Sequence, residues 1–435
     1  MESLWSKTAD RPQFEELKGD ISTDVLIVGG GIVGILCAYM LKKRGVECVV
    51  AEAGRICSGV TENTTAKLTV QHGLIYDKII KQYGLGVAGL YYDAQREAVE
   101  GFSEILRTLD CDFEVRDSFV YSLEHRDRIE REVKALNKIG CKAEVLDKTE
   151  LPFEVAGTVK IPKQAQFHPL KAISSLAEGL DIFENTRVLE LTPDGAKTQY
   201  GTIRSKKIIV ATHFPFLNKH GLFFLKMYQH RSYVLALENT PELKGMYVDE
   251  NDRGMSFREH KGVLLLGGGG HRTGKKGMAW HGLEYFARVN YPEATEVCRW
   301  ATQDCMTLDG IPYIGRYSKN TPNLFVATGF NKWGMSSSFL SAVILSDLVQ
   351  GIPNRYGNIF SPDRSILHPQ LALNAVEAVC NLLTPTAPRC PHLGCALKYN
   401  KQEHSWDCPC HGSRFASDGT VLDNPANGDC RSIGE

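Results

Sequence analysis

The run Asp24-Val-Leu-Ile-Val-Gly29-Gly30-Gly31-Ile32-Val33-Gly34 constrains this chain more than any other. A short apolar stretch enters the glycines of a G-x-G-x-x-G, and a helical stretch follows to about Arg44. A second apolar strand, Val46 to Ala51, ends at Glu52. In this context Gly29 makes a tight turn, Gly31 lets a pyrophosphate approach the backbone, and Gly34 lets the helix pack on the strand, its positive end toward the phosphates. Glu52 stands where a carboxylate can accept hydrogen bonds from an adenosine ribose. The competing reading is a glycine turn of purely structural use. The motif alone does not separate NAD from FAD.

The same run bears on solubility. Val25 to Leu41 is uncharged, but it falls just short of a membrane span, and Gly29, Gly30, Gly31 and Gly34 sit inside it. Met1 to Asp20 is charged throughout and lacks the apolar run of a signal peptide. A cytoplasmic protein without a membrane anchor is expected. With 435 residues, two or three domains are expected. Lys plus Arg total 50 against 51 for Asp plus Glu, so no basic excess points to nucleic acid or an anionic membrane.

Further along, apolar residues recur at helical spacing from Leu90 to Leu109 and from Arg126 to Ile139, and His168-Pro169 opens another helix. Short strands are expected from Asp181 to Ala211 and from Arg231 to Gly267, with His260-Lys261-Gly262 as a hairpin turn. Val263 to Gly270 looks like a second nucleotide loop. Its third glycine is missing, and the chain beyond reads as a mixed helical stretch up to Trp300, so a glycine-rich strand end close to another backbone fits better. Asn323 to Gly329 reads as a strand and Gly334 to Val349 as a helix. Gly351 to Ser361 looks like a linker, and the part from about Asn374 is short and turn-rich.

Of the 13 cysteines, most are scattered, but Cys390, Cys395, Cys408 and Cys410 cluster near the C-terminal end. Cys390-Pro-His392 and Cys408-Pro-Cys410-His411 give C-x-H and C-x-x-H pairs. They can supply two thiolates to one iron and two imidazoles to another, the ligand set of a Rieske [2Fe–2S] cluster. A zinc site is the alternative, but C-x-H is not among the usual structural-zinc spacings.

Beyond Glu52 the chain continues Ala-Gly-Arg-Ile-Cys-Ser-Gly-Val-Thr-Glu-Asn-Thr-Thr-Ala-Lys. It later carries Asp309-Gly-Ile-Pro-Tyr-Ile-Gly315 and Ala327-Thr-Gly-Phe-Asn-Lys-Trp-Gly-Met335. These residues resemble the D-amino-acid-oxidase-like family of FAD oxidoreductases, the group containing glycine oxidase and sarcosine oxidase. The resemblance covers roughly residues 20 to 350. It implies a flavin domain assembled from separated segments under a mixed-sheet substrate domain. It also implies that Val188 meets the adenine with its backbone, and that Gly329 and the helix start at Gly334 sit at the isoalloxazine.

Pro388 to Glu435 resembles a minimal Rieske domain of the cytochrome bc type. That resemblance implies a disulfide between Cys395 and Cys410 and a covering loop at Asn424-Pro-Ala-Asn427. It also implies a Ser413 hydroxyl bonded to a bridging sulfide. The usual tyrosine two residues on is Phe415 here, so an intermediate potential is expected.

At the substrate end, Trp300 to Gly310 resembles the glycine-oxidase segment in which an arginine pairs with the substrate carboxylate, and the matching position is Asp304. An acid there disfavours a simple amino acid and suits a cationic amine. Equally, Asp304 can cap a turn and never meet substrate. Cys305 reads as a buried apolar residue. Lys67, Arg231, Tyr233 and His271 lie on segments that could reach the flavin face, but each reads better as an ordinary surface or strand residue, and His72 has no special spacing.

The expected fold is multidomain α/β: a Rossmann-like FAD domain, a mixed-sheet α+β substrate domain and a small all-β Rieske domain. The expected boundaries are a lead-in over 1–21, FAD segments over about 22–90, 155–215 and 305–350, substrate segments over 91–154 and 216–304, a linker over 351–373 and the Rieske domain over 374–435. The expected function is an FAD-dependent dehydrogenase of an amine or related C–N substrate. It passes electrons to the cluster and on to an external one-electron acceptor or carrier protein. Two alternatives are an O₂-using amine oxidase with a docking Rieske domain, and a redox mediator taking electrons in at the cluster.

Overall fold

The protein is described here as a computed structural model covering residues 1–217, 220–251, 253–385 and 388–433. Residues 434 and 435, at the end of the expected Rieske domain, lie outside the described residues.

The apolar run of the glycine motif forms the strand Ile21–Val28, its last four residues buried. It sits inside a sheet between Cys48–Ala51 and Thr202–Val210, parallel to both. Leu324–Thr328 continues the parallel set, Tyr313–Arg316 closes one edge antiparallel, and Ile182–Phe183 lies at the other. Two helices cover one face, Ile32–Lys43 and Gly334–Val349, each buried along most of its length. Their residues join one large apolar core with the sheet. All the strands of the parallel set deliver their C-terminal ends to one edge, where open α/β sheets bind ligands.

A second, larger sheet runs Thr295–Thr307, Met227–Glu238, Val263–Arg272, Ser256–His260, Met246–Asp249, Glu114–Ser122, Gly157–Gln166 and Lys67–Leu68. Its composition differs from expectation in two places. Residues 67–68 and 157–166, in segments expected for the FAD domain, pair within this sheet. The stretch before Trp300 is not wholly helical: Thr295–Thr307 is an extended edge strand paired along Met227–Glu238, and it runs through the expected boundary at 304. The glycine-rich run 263–270 lies, as expected, on a strand close to another backbone: Val263–Arg272 is interior to this sheet, and a Cβ on Gly269 would run into the Ala279 carbonyl.

The expected linker is packed rather than free. Arg364 reaches back to Asp309, with Nε 2.7 Å from Oδ2, and its guanidinium lies 3.9 Å from the centre of the Tyr313 ring. A helix, Pro369–Leu382, then crosses the expected boundary at 373. The last unit is a small antiparallel meander, Lys398–Asn400, Ser405–Asp407, Arg414–Ala416 and Val421–Asp423. Among the described residues no helix is long and apolar enough to cross a membrane.

Candidate active site and iron–sulfur unit

The glycine motif builds a cradle. Gly29 holds φ +106°, and a Cβ there would lie 2.6 Å from the Ala211 carbonyl oxygen. A Cβ on Gly34 would run into the Gly29 carbonyl, so the helix reaches the strand only because that side chain is missing. The Glu52 carboxylate is held from both sides, accepting from Gly30 N at 2.6 Å and from Gly54 N at 2.8 Å. Burial raises its pKa, and these two backbone donors oppose the rise.

Around the cradle lies a cavity of about 430 Å³, whose wall includes Gly29, Gly31, Glu52, Val188, Gly334 and Asp304. Gly34 and Gly329 do not line it. Gly329 packs against Thr307, and Gly34 packs against Gly29. Between strand Leu324–Thr328 and the helix at Gly334, Asn331 and Lys332 both adopt positive φ, 51° and 73°. Such strain in non-glycine residues persists only when neighbours impose it. Here Asn331 Oδ1 accepts from Thr307 N at 2.8 Å and its Nδ2 donates to Gly329 O at 2.7 Å.

A second cavity of about 530 Å³ adjoins the first; Asp304, Lys332, Met335, Val60 and Thr64 line both. Burial pushes the Asp304 carboxyl up to about 6, against the pull of Lys332 and Arg231. Lys67 also lines this cavity, and burial, helped by nearby Arg258, brings its amine down to about 7. His72 is stacked on Trp333 with ring centres 5.1 Å apart and bonded to Tyr91 Oη at 2.7 Å and Ser336 Oγ at 2.9 Å. Burial holds it neutral, with a pKa of about 3.

The strands Met227–Glu238 and Thr295–Thr307 form the wall beside Asp304. Residues directly opposite on an antiparallel pair point to the same face, and successive residues alternate. Tyr228 with Met306, His230 with Asp304, and Ser232 with Thr302 therefore share the cavity face. Gln229, Arg231 and Gln303 point the other way, into the small unit. Gln229 Nε2 donates to His411 O and Asn424 O, each at 2.9 Å. Gln303 Nε2 donates to Gly412 O at 2.9 Å. Arg272 adds bonds from Nε to Pro409 O at 3.0 Å and from a guanidinium nitrogen to Cys410 O at 3.1 Å.

In the small unit the Sγ atoms of Cys395, Cys408 and Cys410 lie within 4.8 Å of one another. Cys390 hydrogen-bonds Cys408, and the His392 and His411 rings are 5.0 Å apart and nearly perpendicular. The structure thus brings the expected ligands together in pairs, Cys390 with Cys408 and His392 with His411. His411 Nδ1 is buried with no hydrogen-bond partner, as suits a ligand atom. This donor set fits an iron–sulfur cluster, as the glycine cradle fits a dinucleotide. Cys395 and Cys410 are adjacent free thiols here and carry no disulfide. Ser413 Oγ accepts from Ala426 N at 3.0 Å and also bonds Cys390.

The two units share one wall. Leu422, Asp423, Asn424 and Asn427, from the small unit, line the cavity around the glycine cradle. Asn424 Nδ2 donates to Phe214 O at 2.7 Å and to Thr212 O. Sequence reasoning had no signal for this wall, nor for the pairs that make it. Its strands lie far apart along the chain, and Arg231, Tyr233 and His271 carry no motif.

The fold and site define a flavoprotein oxidoreductase with a built-in iron–sulfur domain. Residues 24–348 match the FAD dependent oxidoreductase family, abbreviated DAO, and residues 375–433 match the Rieske [2Fe-2S] domain. The chain belongs to the DAO family and binds FAD and a Rieske [2Fe–2S] cluster. It is 35% identical to the Bacillus subtilis Rieske 2Fe-2S iron-sulfur protein YhfW, over 98% of this chain and 96% of that one. It is 24% identical to the gamma-glutamylputrescine oxidoreductase of Escherichia coli K12, over 79% of this chain and 87% of the relative. Glycine oxidase from Geobacillus kaustophilus shares the fold, with a TM-score of 0.67, 22% identity, and coverage of 79% of this chain and 99% of the oxidase.

Proposed function

We propose that this chain is a dehydrogenase of an amine or related C–N substrate whose electrons leave through the Rieske cluster to an external one-electron acceptor. Bound in these sites, the flavin would supply a hydride acceptor for the carbon beside the amine nitrogen and the cluster a one-electron outlet. The observation that carries this reading is the shared wall: Leu422 to Asn427 of the cluster unit close the flavin cavity. In the reading, Gly29, Gly31, Glu52, Val188 and Gly334 hold FAD, Gly34 and Gly329 shape the backbone behind them, and Cys390, His392, Cys408 and His411 hold the cluster. The relative named for gamma-glutamylputrescine and the neighbour named glycine oxidase support a C–N substrate. Asp304 receives the substrate's cationic nitrogen, and neutral Lys67 takes its proton, since a hydride leaves readily only from beside an unprotonated amine.

An anaerobic redox titration, following flavin absorbance and the cluster's EPR signal together, tests the direction of flow. A cluster potential above the flavin's is expected. One well below it would reverse the arrow and make the chain a mediator.

Asp304 gives a pH prediction. Its carboxyl is ionised only above about 6, so a cationic amine binds more tightly as pH rises through 6. Asp304→Asn is expected to flatten that limb and weaken binding by about 2 kcal/mol, or ~30-fold. Titrations of flavin reduction from about pH 5 to 8 read this directly. A variant with the wild-type profile and affinity would leave Asp304 as a strand residue with no part in binding the substrate.

A further inference from the structure

The substrate cavity does not end at Asp304. Across Tyr228, Glu250 and Asn251, which line both spaces, it continues into an outer chamber of about 580 Å³. The chamber is the more basic end. Besides Asp304 the inner cavity is lined by Lys67, Lys78, Lys332 and Asp249, while the chamber wall holds Arg128, Arg253 and Arg272 against one carboxylate among the described residues, Glu250.

Their existing bonds show which charges face the space. Arg272 is engaged with the cluster loop and with Asn374 Oδ1 at 2.9 Å. Arg128 lies 3.3 Å from Glu250 Oε2, and Ser122 Oγ donates to the other Glu250 oxygen at 2.6 Å. Arg253 makes no ion pair among the described residues. His125, the residue before the helix Arg126–Lys138, brings that helix's positive end to the wall. His230 marks the junction: it stands opposite Asp304 on the paired strand and is only 7% exposed. It lines the chamber, and its Nδ1 has no hydrogen-bond partner. Burial keeps that ring neutral, so it offers a hydrogen bond and no charge.

We propose that the outer chamber is a carboxylate-binding site, with Arg253 and His230 as its main contacts, which holds the anionic end of the substrate. The substrate class is then an elongated molecule, an amine at the Asp304 end and a carboxylate at the other. One guanidinium with no ion pair among the described residues, beside the neutral His230 ring, matches a monoanion better than a phosphate dianion. This inference rests on the amine-dehydrogenase reading for its inner end, and the outer end is testable alone.

The probes are 5-aminopentanoate, pentylamine and glutarate, used with the flavin- and cluster-loaded protein. 5-Aminopentanoate is expected to half-reduce the flavin anaerobically at a concentration about tenfold below pentylamine, and Arg253→Gln to remove most of that ratio. Glutarate, which has no amine to oxidise, is expected to bind by calorimetry and to weaken about tenfold in Arg253→Gln, with a smaller loss in Arg128→Gln. Glutarate binding through Arg253 without flavin reduction by either amine keeps the carboxylate site and sinks the amine reading. Equal use of both amines with no glutarate binding keeps the amine reading and overturns the site. Glutarate binding indifferent to both substitutions also overturns it.

Discussion

Cys408→Ser is expected to give a yellow protein that retains its flavin and loses the cluster's iron, visible absorbance and EPR signal. Cys408 is fully buried and lies within bonding reach of the thiols of Cys390, Cys395 and Cys410, at the meeting point of the two cysteine loops. Serine keeps the volume but replaces a soft thiolate by a hydroxyl that iron–sulfur chemistry rarely accepts. Residues merely supporting a metal ligand cost 10- to 100-fold when replaced, so loss of a ligand should slow delivery to one-electron acceptors by more than about 100-fold. Anaerobic flavin reduction by substrate should persist, because Cys408 is not among the residues lining either inner cavity. His411→Ala provides a second variant in case serine perturbs folding. Normal acceptor turnover in both cluster-free proteins would make the cluster a bystander and favour the oxidase alternative, with peroxide as the product to measure.

What the sequence made legible was local. The glycine cradle, Glu52, the helix at Gly334 and the cysteine–histidine loops are short segments whose spacing itself states the geometry. What it hid depends on pairing between remote strands. The end of Thr295–Thr307, from Thr302 on, interleaves charged and polar residues without a clean alternation because both faces are occupied there, one by substrate space and one by the cluster unit. A strand with two buried faces loses the polar–apolar period that normally reveals it. Gln229 and Gln303 look like surface residues in sequence, yet both are buried and bonded to cluster-loop carbonyls. Lys67 likewise gave no hint, since its lowered pKa comes from burial and from Arg258, nearly two hundred positions away. The packing of residues 351–373 escaped notice for a related reason: Arg364 carries no motif until Asp309 and Tyr313 are folded beneath it.

Glu403→Gln should loosen the cluster unit from the flavoprotein body while leaving both cofactors bound. Glu403 sits on the small unit and bonds Arg231 and Tyr233 of the large sheet, the tyrosine hydroxyl at 3.0 Å from Oε1. Its other partner, Arg414 at 2.8 Å, belongs to the small unit and also holds Asp407 and Asp423, each at 3.0 Å. Removing the charge leaves Arg414 well paired but leaves Arg231 only Asp423, at 4.0 Å. Breaking one side of a buried pair costs about 3–5 kcal/mol. The pKa of Glu403 gives a similar figure: its partners hold it at about 2 against an ordinary 4.5, which corresponds to about 3 kcal/mol. Because the folded value is depressed, that stabilisation is complete above about pH 4.5 and is lost as pH falls toward 2. At neutral pH, denaturant titration should show flavin and cluster signals changing together in the wild type. In Glu403→Gln the cluster signal should move to lower denaturant by an amount equivalent to about 3 kcal/mol. The double variant Arg231→Met/Glu403→Leu removes both buried charges and should recover much of the loss, since a hydrophobic replacement of a buried pair is often near neutral. A double variant as unstable as the sum of its parts would show that Arg231 and Glu403 are not coupled. Coincident transitions in Glu403→Gln would show that docking rests on the Gln229, Gln303 and Arg272 bonds to the cluster loop instead.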